Sequence, residues 1–100
     1  MAKTVRYHPL FDADVIEVAN WYDERSAGLG DAFAASIERT VTEILSDPTR
    51  FATAKYQLRY HRAKRFPFIV LFDVIGDELL FLGVLHTARL ITKWRRDRNP

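Results

Sequence analysis

The sequence predicts an α+β domain in the order β-α-α-β-β-β, with a helical hairpin packed on a mostly antiparallel sheet and a short basic C-terminal helix. Three observations predict this class. Apolar residues recur at helical spacing in the first half of the chain, whereas they alternate or run continuously in the second half. The length of 100 residues fits one domain. The hydrophobic fraction of 48% suffices for a compact core, so we expect residues 1–100 to form a single domain.

The first strand is predicted from Lys3 to His8, because this segment is β-branched at its start and is stopped by Pro9. A helix is predicted from Leu10 onward. Its apolar stripe consists of Phe11, Val15, Val18, Ala19 and Tyr22. The segment 26–30 holds two glycines and is expected to end this helix.

A second helix is predicted from about Asp31, whose carboxylate is expected to accept N–H bonds at the helix start. Its apolar stripe consists of Phe33, Ile37, Thr40, Val41, Ile44 and Leu45. Asp47 and Pro48 end it. A short connection between two amphipathic helices favours an antiparallel hairpin, in which Trp21 and Tyr22 are interpreted as packing residues.

Three strands are predicted in the second half of the chain. Tyr56 to Arg62 alternates between apolar and polar residues, as expected of a half-buried strand. Phe68 to Ile75 is apolar on both faces, which is typical of a central strand. Gly76-Asp77 fits a two-residue turn into a return strand from Glu78 to His86.

Composition excludes several kinds of site. The chain has no cysteine, so it has no disulfide, no thiolate metal site and no cysteine nucleophile. The start of the chain lacks the apolar stretch of a secretory signal, and the apolar run 66–72 is far shorter than the roughly 20 residues that span a bilayer. We therefore expect a cytoplasmic protein without a membrane partner. His8, His61 and His86 have no metal-ligand spacing and no cofactor motif is present, so no metal and no cofactor is expected.

Charge is divided unevenly along the chain, although its net value is only +2. Residues 1–49 hold four basic and nine acidic side chains, whereas residues 50–100 hold eleven basic and four acidic ones. Two surfaces of opposite sign are expected if the halves fold into different layers. The basic half fits a polyanion or an acidic protein as partner, and the alternative is that the two halves simply attract each other.

The segment 59–68 combines four basic residues with three aromatic ones at the entry to the predicted sheet. Alternation places Arg59 and His61 on one face of their strand and Arg62 on the other. Cations interleaved with aromatic rings suit phosphates and stacked bases. The alternative is a solvated edge strand, whose charges prevent pairing with other sheets.

His86 ends the last strand, and simple alternation places it in the same side-chain phase as Leu80, Leu82 and Val84. A histidine can act as a general acid or base. The alternative is a hydrogen-bonded residue that anchors the end of the strand.

The C-terminal tail is predicted to be a short basic helix from Leu90 to Arg98, docked onto the domain through Trp94. Together with Arg89, its cations can clamp a phosphate or bind an acidic partner, and the alternative is a frayed basic terminus. These cations are Lys93, Arg95, Arg96 and Arg98.

Six short motifs follow one another along almost the whole chain. They are Val5-Arg6-Tyr7-His8-Pro9, Ala13-x-x-Ile16-x-Val18-x-x-Trp21-Tyr22, Gly30-x-x-Phe33, Asp47-Pro48, Arg65-Phe66-Pro67-Phe68-Ile69-Val70-x-Phe72 and Val84-Leu85-His86-x-x-Arg89. In their order and spacing the chain resembles the toxin subunits of the RelE/ParE superfamily of bacterial type II toxin–antitoxin modules. The long helical hairpin and the segment Phe66-Pro67-Phe68-Ile69-Val70-x-Phe72 make the resemblance closer to the ParE-like branch.

This resemblance implies a RelE/ParE-like fold and a toxin that arrests bacterial growth. It also implies a cognate antitoxin, which forms a hetero-oligomer with the toxin and neutralises it. RelE-like members cleave mRNA on the ribosome, whereas ParE-like members inhibit DNA gyrase. The implied target is therefore DNA gyrase on the ParE-like interpretation, and the ribosome with its mRNA on the alternative one.

The residues favour the gyrase interpretation. RNA cleavage needs charge stabilisation on the phosphate and two proton transfers. The candidate catalytic residues of such a ribonuclease would be Arg59, Arg65, His86 and Arg89. No tyrosine occurs in the C-terminal segment, where many RelE-like nucleases carry one, so His61 or Glu78 would have to replace it.

The surface that binds a partner is predicted at the basic side chains and at Trp94. Its residues are Arg59, Arg62, Arg65, Trp94, Arg95 and Arg96. We expect an antitoxin segment, as an amphipathic helix or an added strand, to cover part of the sheet face that lies away from the helices. A third hypothesis is a nontoxic module that holds nucleic acid on the same basic sheet.

Overall fold

The computed structural model describes residues 4–53 and 58–89. The elements are strand β1 (Thr4–Tyr7), helices α1 (Phe11–Arg25) and α2 (Leu29–Ser46), and strands β2 (Arg59–Arg62), β3 (Phe68–Ile75) and β4 (Glu78–His86). A short 3₁₀ turn, Pro48–Arg50, follows α2. The predicted order β-α-α-β-β-β is therefore confirmed. The predicted basic helix 90–98 lies outside the described residues.

The four strands form one mixed sheet in the order β1-β4-β3-β2. β3 pairs with β2 and β4 in antiparallel register, whereas β1 runs parallel to β4. The turn between β3 and β4 is the predicted Gly76-Asp77 pair, and Gly76 takes a φ of 58°, which glycine adopts without strain. The second strand begins at Arg59, directly after the buried Leu58, and residues 56 and 57 of the predicted strand lie outside the described residues.

The main core lies between the helical hairpin and one face of the sheet. Both predicted helical stripes point into it, and they meet side chains from alternate positions of the central strands. Phe33, Phe72 and Phe81 are fully buried there. Each such side chain stabilises the fold by roughly 1.5–3 kcal/mol relative to exposure. The hairpin therefore covers one face of the sheet, as the pattern predicts.

A second cluster lies on the opposite face of the sheet. Its buried members are Leu58, Ile69, Leu71 and Leu85, and Tyr60 and Leu82 pack against them. The exposed fraction of these four side chains is 9% or less. The two long strands are thus buried on both faces, which confirms the interpretation of their continuous apolar sequence.

A β-bulge in β4 changes the face on which His86 lies. Leu71 pairs with Gly83 but Phe72 pairs with Phe81, so Leu82 is an extra residue in β4. One extra residue reverses the alternation. Val84 and His86 therefore face the helices, as Leu79 and Phe81 do before the bulge. The predicted common phase of His86 with Leu80 and Leu82 is wrong for this reason.

The start of α2 also differs from the prediction. The helix begins at Leu29, so its first two residues come from the segment expected to end α1. Asp31 is not the capping residue. The N–H of Gly30 instead donates to Oδ1 of Asp23, a residue of α1, at 2.7 Å. Capping from the neighbouring helix depends on tertiary packing, which local sequence does not encode.

Gly30→Ala is expected to lower the free energy of unfolding by about 1–3 kcal/mol, the usual cost of overpacking. A Cβ at this position would collide with the carbonyl oxygen of Ala19 and the carboxylate of Asp23, both in α1. Urea unfolding measures the change. Ala35→Gly, at an exposed position of the same helix, is the control for helix propensity and should cost about 1 kcal/mol. A Gly30→Ala protein more stable than the parent would contradict this close helix contact.

Candidate functional site

Of the five predicted site residues that the structure describes, all but Arg59 lie at one end of the sheet. Arg62 of β2 pairs with Ile69 at the start of β3, and Phe68 pairs with His86 at the end of β4. The N–H of Thr87 donates to the carbonyl oxygen of Pro67 at 2.9 Å, which joins the two adjoining loops. We call this region the basic end of the sheet. Its charged or titratable members are Arg62, Lys64, Arg65, His86 and Arg89.

The arginines of the basic end are available to a partner. Arg62, Arg65 and Arg89 are exposed, and none of them forms an ion pair with another residue of segments 4–53 and 58–89. Arg65 has a φ of 73°, an uncommon conformation for a residue with a side chain. The neighbouring residues hold this loop in place, because Phe66 is buried and the carbonyl oxygen of Lys64 accepts the hydroxyl of Ser36 at 2.7 Å. The loop thus presents Arg65 outward on a fixed backbone.

Arg59 lies apart from the basic end. Its guanidinium donates to the carbonyl oxygens of Thr49 and Phe51, at 3.0 and 2.8 Å, outside the β2 edge. Its Cα is roughly 16 Å from that of His86, since two strand spacings and four residues separate them. The structure therefore does not bring Arg59 and His86 to one phosphate.

His61 joins the sheet to the helical layer. It shares the helix-facing side of β2 with Arg59, as predicted, and its Nε2 lies 3.0 Å from Oε1 of Glu43 in α2. Its ring also packs on Phe51, with 4.4 Å between ring centroids. The hydrogen bond from His61 lowers the pKa of Glu43, and the nearby positive charges add to this effect. This contact holds α2 against β2.

Glu43→Gln is expected to destabilise the protein near pH 7 and to have a smaller effect at about pH 3. A carboxylate whose pKa is lowered in the folded state adds stability above its unfolded pKa. That stability is lost as the pH falls through the folded value. Urea unfolding at both pH values measures the difference. Glu38→Gln, at an exposed site on the same helix, is the matched control. If Glu43→Gln lowered the free energy of unfolding equally at both pH values, the stabilising role of the Glu43–His61 contact would be contradicted.

His86 is held by local contacts at the end of β4. Its ring packs edge-on against Phe68, with 5.0 Å between centroids, and its Nδ1 accepts the N–H of Ala88 at 3.0 Å. Glu78, the other residue considered for proton transfer, is at the opposite end of β4 and pairs with Arg6 at 2.9 Å. These positions favour the anchoring interpretation of His86, since its ring is held by local contacts and Glu78 is too far away to act with it.

A cleft of about 660 Å³ lies between α1 and the basic end. Glu17, Trp21 and Tyr22 line it on the helix side, and His86 and Arg89 on the sheet side. It combines aromatic surface with charges of both signs.

Trp21 does not pack inside the hairpin, so its predicted role is wrong. Its side chain is 49% exposed at the cleft, and the guanidinium of Arg25 lies 3.4 Å from its ring centroid. Tyr22 does pack in the core as predicted. Trp21 lies about 100° around the helix from Tyr22. This offset from the apolar stripe is the signal that could have identified it as a surface residue.

Two further findings concern the described residues. They contain no group of three or more His, Asp or Glu side chains placed to hold a metal ion. None of their helices is both long and apolar enough to cross a membrane. Trp94, Arg95 and Arg96, which were predicted to bind a partner, lie outside the described residues.

Comparison with known proteins identifies relatives of the chain. Residues 5–91 match the family model described as the ParE toxin of the type II toxin–antitoxin system parDE. The fold is similar to that of a solved chain from the chromosomal ParDE TA system from P. aeruginosa, with a TM-score of 0.74 at 17% sequence identity. The alignment covers 83% of this chain and 94% of that one, and at this identity it establishes the fold. No match is found among curated protein sequences.

Proposed function

The chain belongs to the ParE toxin family of type II toxin–antitoxin systems, and we propose that it arrests bacterial growth in the cytoplasm by inhibiting DNA gyrase until a cognate antitoxin neutralises it. The observation that carries the proposal is the family match, which extends from β1 to beyond the basic end. The solved ParDE relative supports an antitoxin as the partner. The toxin and antitoxin would form a hetero-oligomer.

The antitoxin contact is proposed at the basic end of the sheet. Arg62, Arg65 and Arg89 are exposed there, so an acidic antitoxin segment would find complementary charge. The predicted contacts through Trp94, Arg95 and Arg96 belong to the same proposal. Arg59 contributes less, because its guanidinium already binds two carbonyl oxygens.

The sheet face away from the helices needs less cover than predicted. Its central residues are already buried within the chain, with Leu71 at 0% and Leu85 at 2% exposure. An antitoxin helix or strand would therefore contact the borders of this face, where Tyr60 and Leu82 are half-buried and Arg62 is exposed. Charged contacts at such a border mainly affect the association rate, whereas apolar anchors hold a complex together.

Gyrase is the favoured target because the candidate proton-transfer residues, His61, Glu78 and His86, lie apart in the sheet. Arg59 is bound elsewhere, His61 is bound to Glu43, and His86 is bound locally. Proton transfer requires groups within about 3 Å of the reacting atoms, directly or through one water. Arg65 and Arg89 remain as exposed charges, which suit the binding of an acidic or anionic surface without a chemical step.

Expression of this chain alone is expected to arrest bacterial growth, and co-expression of the antitoxin encoded beside it should restore growth. Colony counts after induction measure both effects. Arg62→Glu and Arg65→Glu should weaken antitoxin binding by about tenfold or more through charge reversal. Normal growth with soluble, folded protein present would contradict the toxin proposal and favour a nontoxic binding module.

The purified protein is expected to block supercoiling by gyrase and to leave ribosome-bound mRNA intact. His86→Ala should then change inhibition only as far as it changes stability. Truncation after Leu90 should reduce inhibition more, because it removes Trp94 and four basic side chains. Supercoiling assays and mRNA cleavage assays on the same preparations measure both activities.

A ribonuclease would reverse this ranking of variants. His86→Ala or Arg65→Ala would then lower cleavage by about 10²-fold or more, as expected when a proton-transfer group or a charge partner is lost. Codon-specific cuts in ribosome-bound mRNA, abolished by His86→Ala in a folded protein, would contradict gyrase inhibition as the mechanism.

A further inference from the structure

A groove of about 540 Å³ lies between the first half of α1 and the second half of α2, beside β1. Along α1 it extends from Phe11 to Ile16, whereas the cleft beside Trp21 extends from Asp14 to Tyr22. The residues of α2 that line it are Ala34, Ile37, Glu38, Val41, Thr42 and Leu45. They follow one stripe of the helix from Ala34 to Leu45, a rise of about 16 Å. The groove therefore has the length of about three helical turns.

The surroundings of this groove are unusually apolar. Tyr7 and Ile16 line it, and they are 48% and 59% exposed. Leu10 is also exposed and directly precedes Phe11, which lines the groove. Val5 is exposed on the same face of β1 as Tyr7. Exposed apolar residues that are grouped together in this way are characteristic of interaction sites.

The charge of the groove is negative. Asp12 and Glu38 are the charged side chains that line it within segments 4–53 and 58–89. Partial burial raises the pKa of Tyr7, and the negative charge of the neighbouring Asp12 raises it further. The carboxylate of Asp12 therefore acts on a side chain that lines the groove. A ligand of this surface must supply apolar side chains and positive charge.

We propose that the groove is a docking site for a basic amphipathic helix of a partner protein. Apolar residues of that helix at positions i, i+4 and i+7 would enter the groove between α1 and α2, near Ile16. Its lysine or arginine residues would lie against Asp12 and Glu38.

Other occupants fit the groove less well. A second copy of the chain, related by a two-fold axis through the groove, would bring Asp12 and Glu38 of both copies together. An acidic antitoxin segment would meet the same repulsion. The groove and the basic end of the sheet are separate surfaces, so both can be occupied at once. The inference is therefore independent of gyrase inhibition.

The test uses the full 100-residue chain and two synthetic helical peptides of about 15 residues. Both peptides carry leucines at i, i+4 and i+7. One has lysines on the flanks, and the other has glutamates at the same positions. Fluorescence anisotropy at low salt is expected to give at least about tenfold tighter binding of the lysine peptide.

Variants locate the binding. Ile16→Ala should weaken binding of the lysine peptide by about tenfold, whereas Ile75→Ala should not change it. Ile75 is the matched control, because its side chain is 57% exposed and lies outside the groove. Glu38→Lys should reduce the preference for the lysine peptide, and the exposed Glu24→Lys should not. Circular dichroism checks that each variant is folded.

Three outcomes would overturn the inference. Failure of both peptides to bind, or equal binding of both, would show that the groove is not specific for a basic helix. An equal effect of Ile16→Ala and Ile75→Ala would place the binding elsewhere. Sedimentation of the chain as a dimer that Ile16→Ala dissociates would assign the groove to a second copy.

Discussion

The burial of β3 and β4 on both faces is the constraint on which the rest of the structure depends. Val70, Leu71 and Phe72 are consecutive residues with 0% exposure, so their side chains need cover above and below the sheet. The amphipathic hairpin covers one face, and a second apolar cluster lies on the other. The two central strands leave β1 and β2 at the edges. The most polar strand, β2, therefore takes an edge position, where its arginines stay in contact with solvent.

The bulge at Leu82 connects this sheet to the candidate site. It turns Val84 toward the helices, and the N–H of Val84 donates to Oδ2 of Asp14 in α1 at 3.1 Å. The end of β4 is thereby held against α1, and the cleft beside Trp21 lies at this junction. Without the extra residue, the alternation of β4 would turn His86 to the other face of the sheet. The position of the site thus depends on one irregularity in an otherwise regular strand.

Much of this architecture follows from the sequence, because it depends on local patterns. The bounds of β3 and β4 and both helical stripes match the prediction, since continuous or periodic apolar sequence determines them. The predictions that were wrong concern features that depend on contacts between segments distant in the sequence. The cap on α2 comes from Asp23, and only the close approach of the helices at Gly30 makes it available. The bulge did have a local signal, because a glycine within a strand, here Gly83, often marks one. The position of Arg59 away from the basic end had no such local signal, since its carbonyl partners belong to the segment after α2.

The division of charge along the chain has two explanations, and the contacts favour one of them. If the acidic and basic halves were matched mainly to attract each other, ion pairs would join the helices to the sheet. Between described residues, Glu43 with His61 is the contact of this kind, and it is an ion pair only when the imidazole is protonated. Arg62, Arg65 and Arg89 are instead exposed at the basic end. Asp12 and Glu38 line the groove between α1 and α2. Separating charges in this way does little to stabilise the fold, because exposed charges beyond about 10 Å are screened by salt. It leaves surfaces of opposite charge at separate places on one small domain.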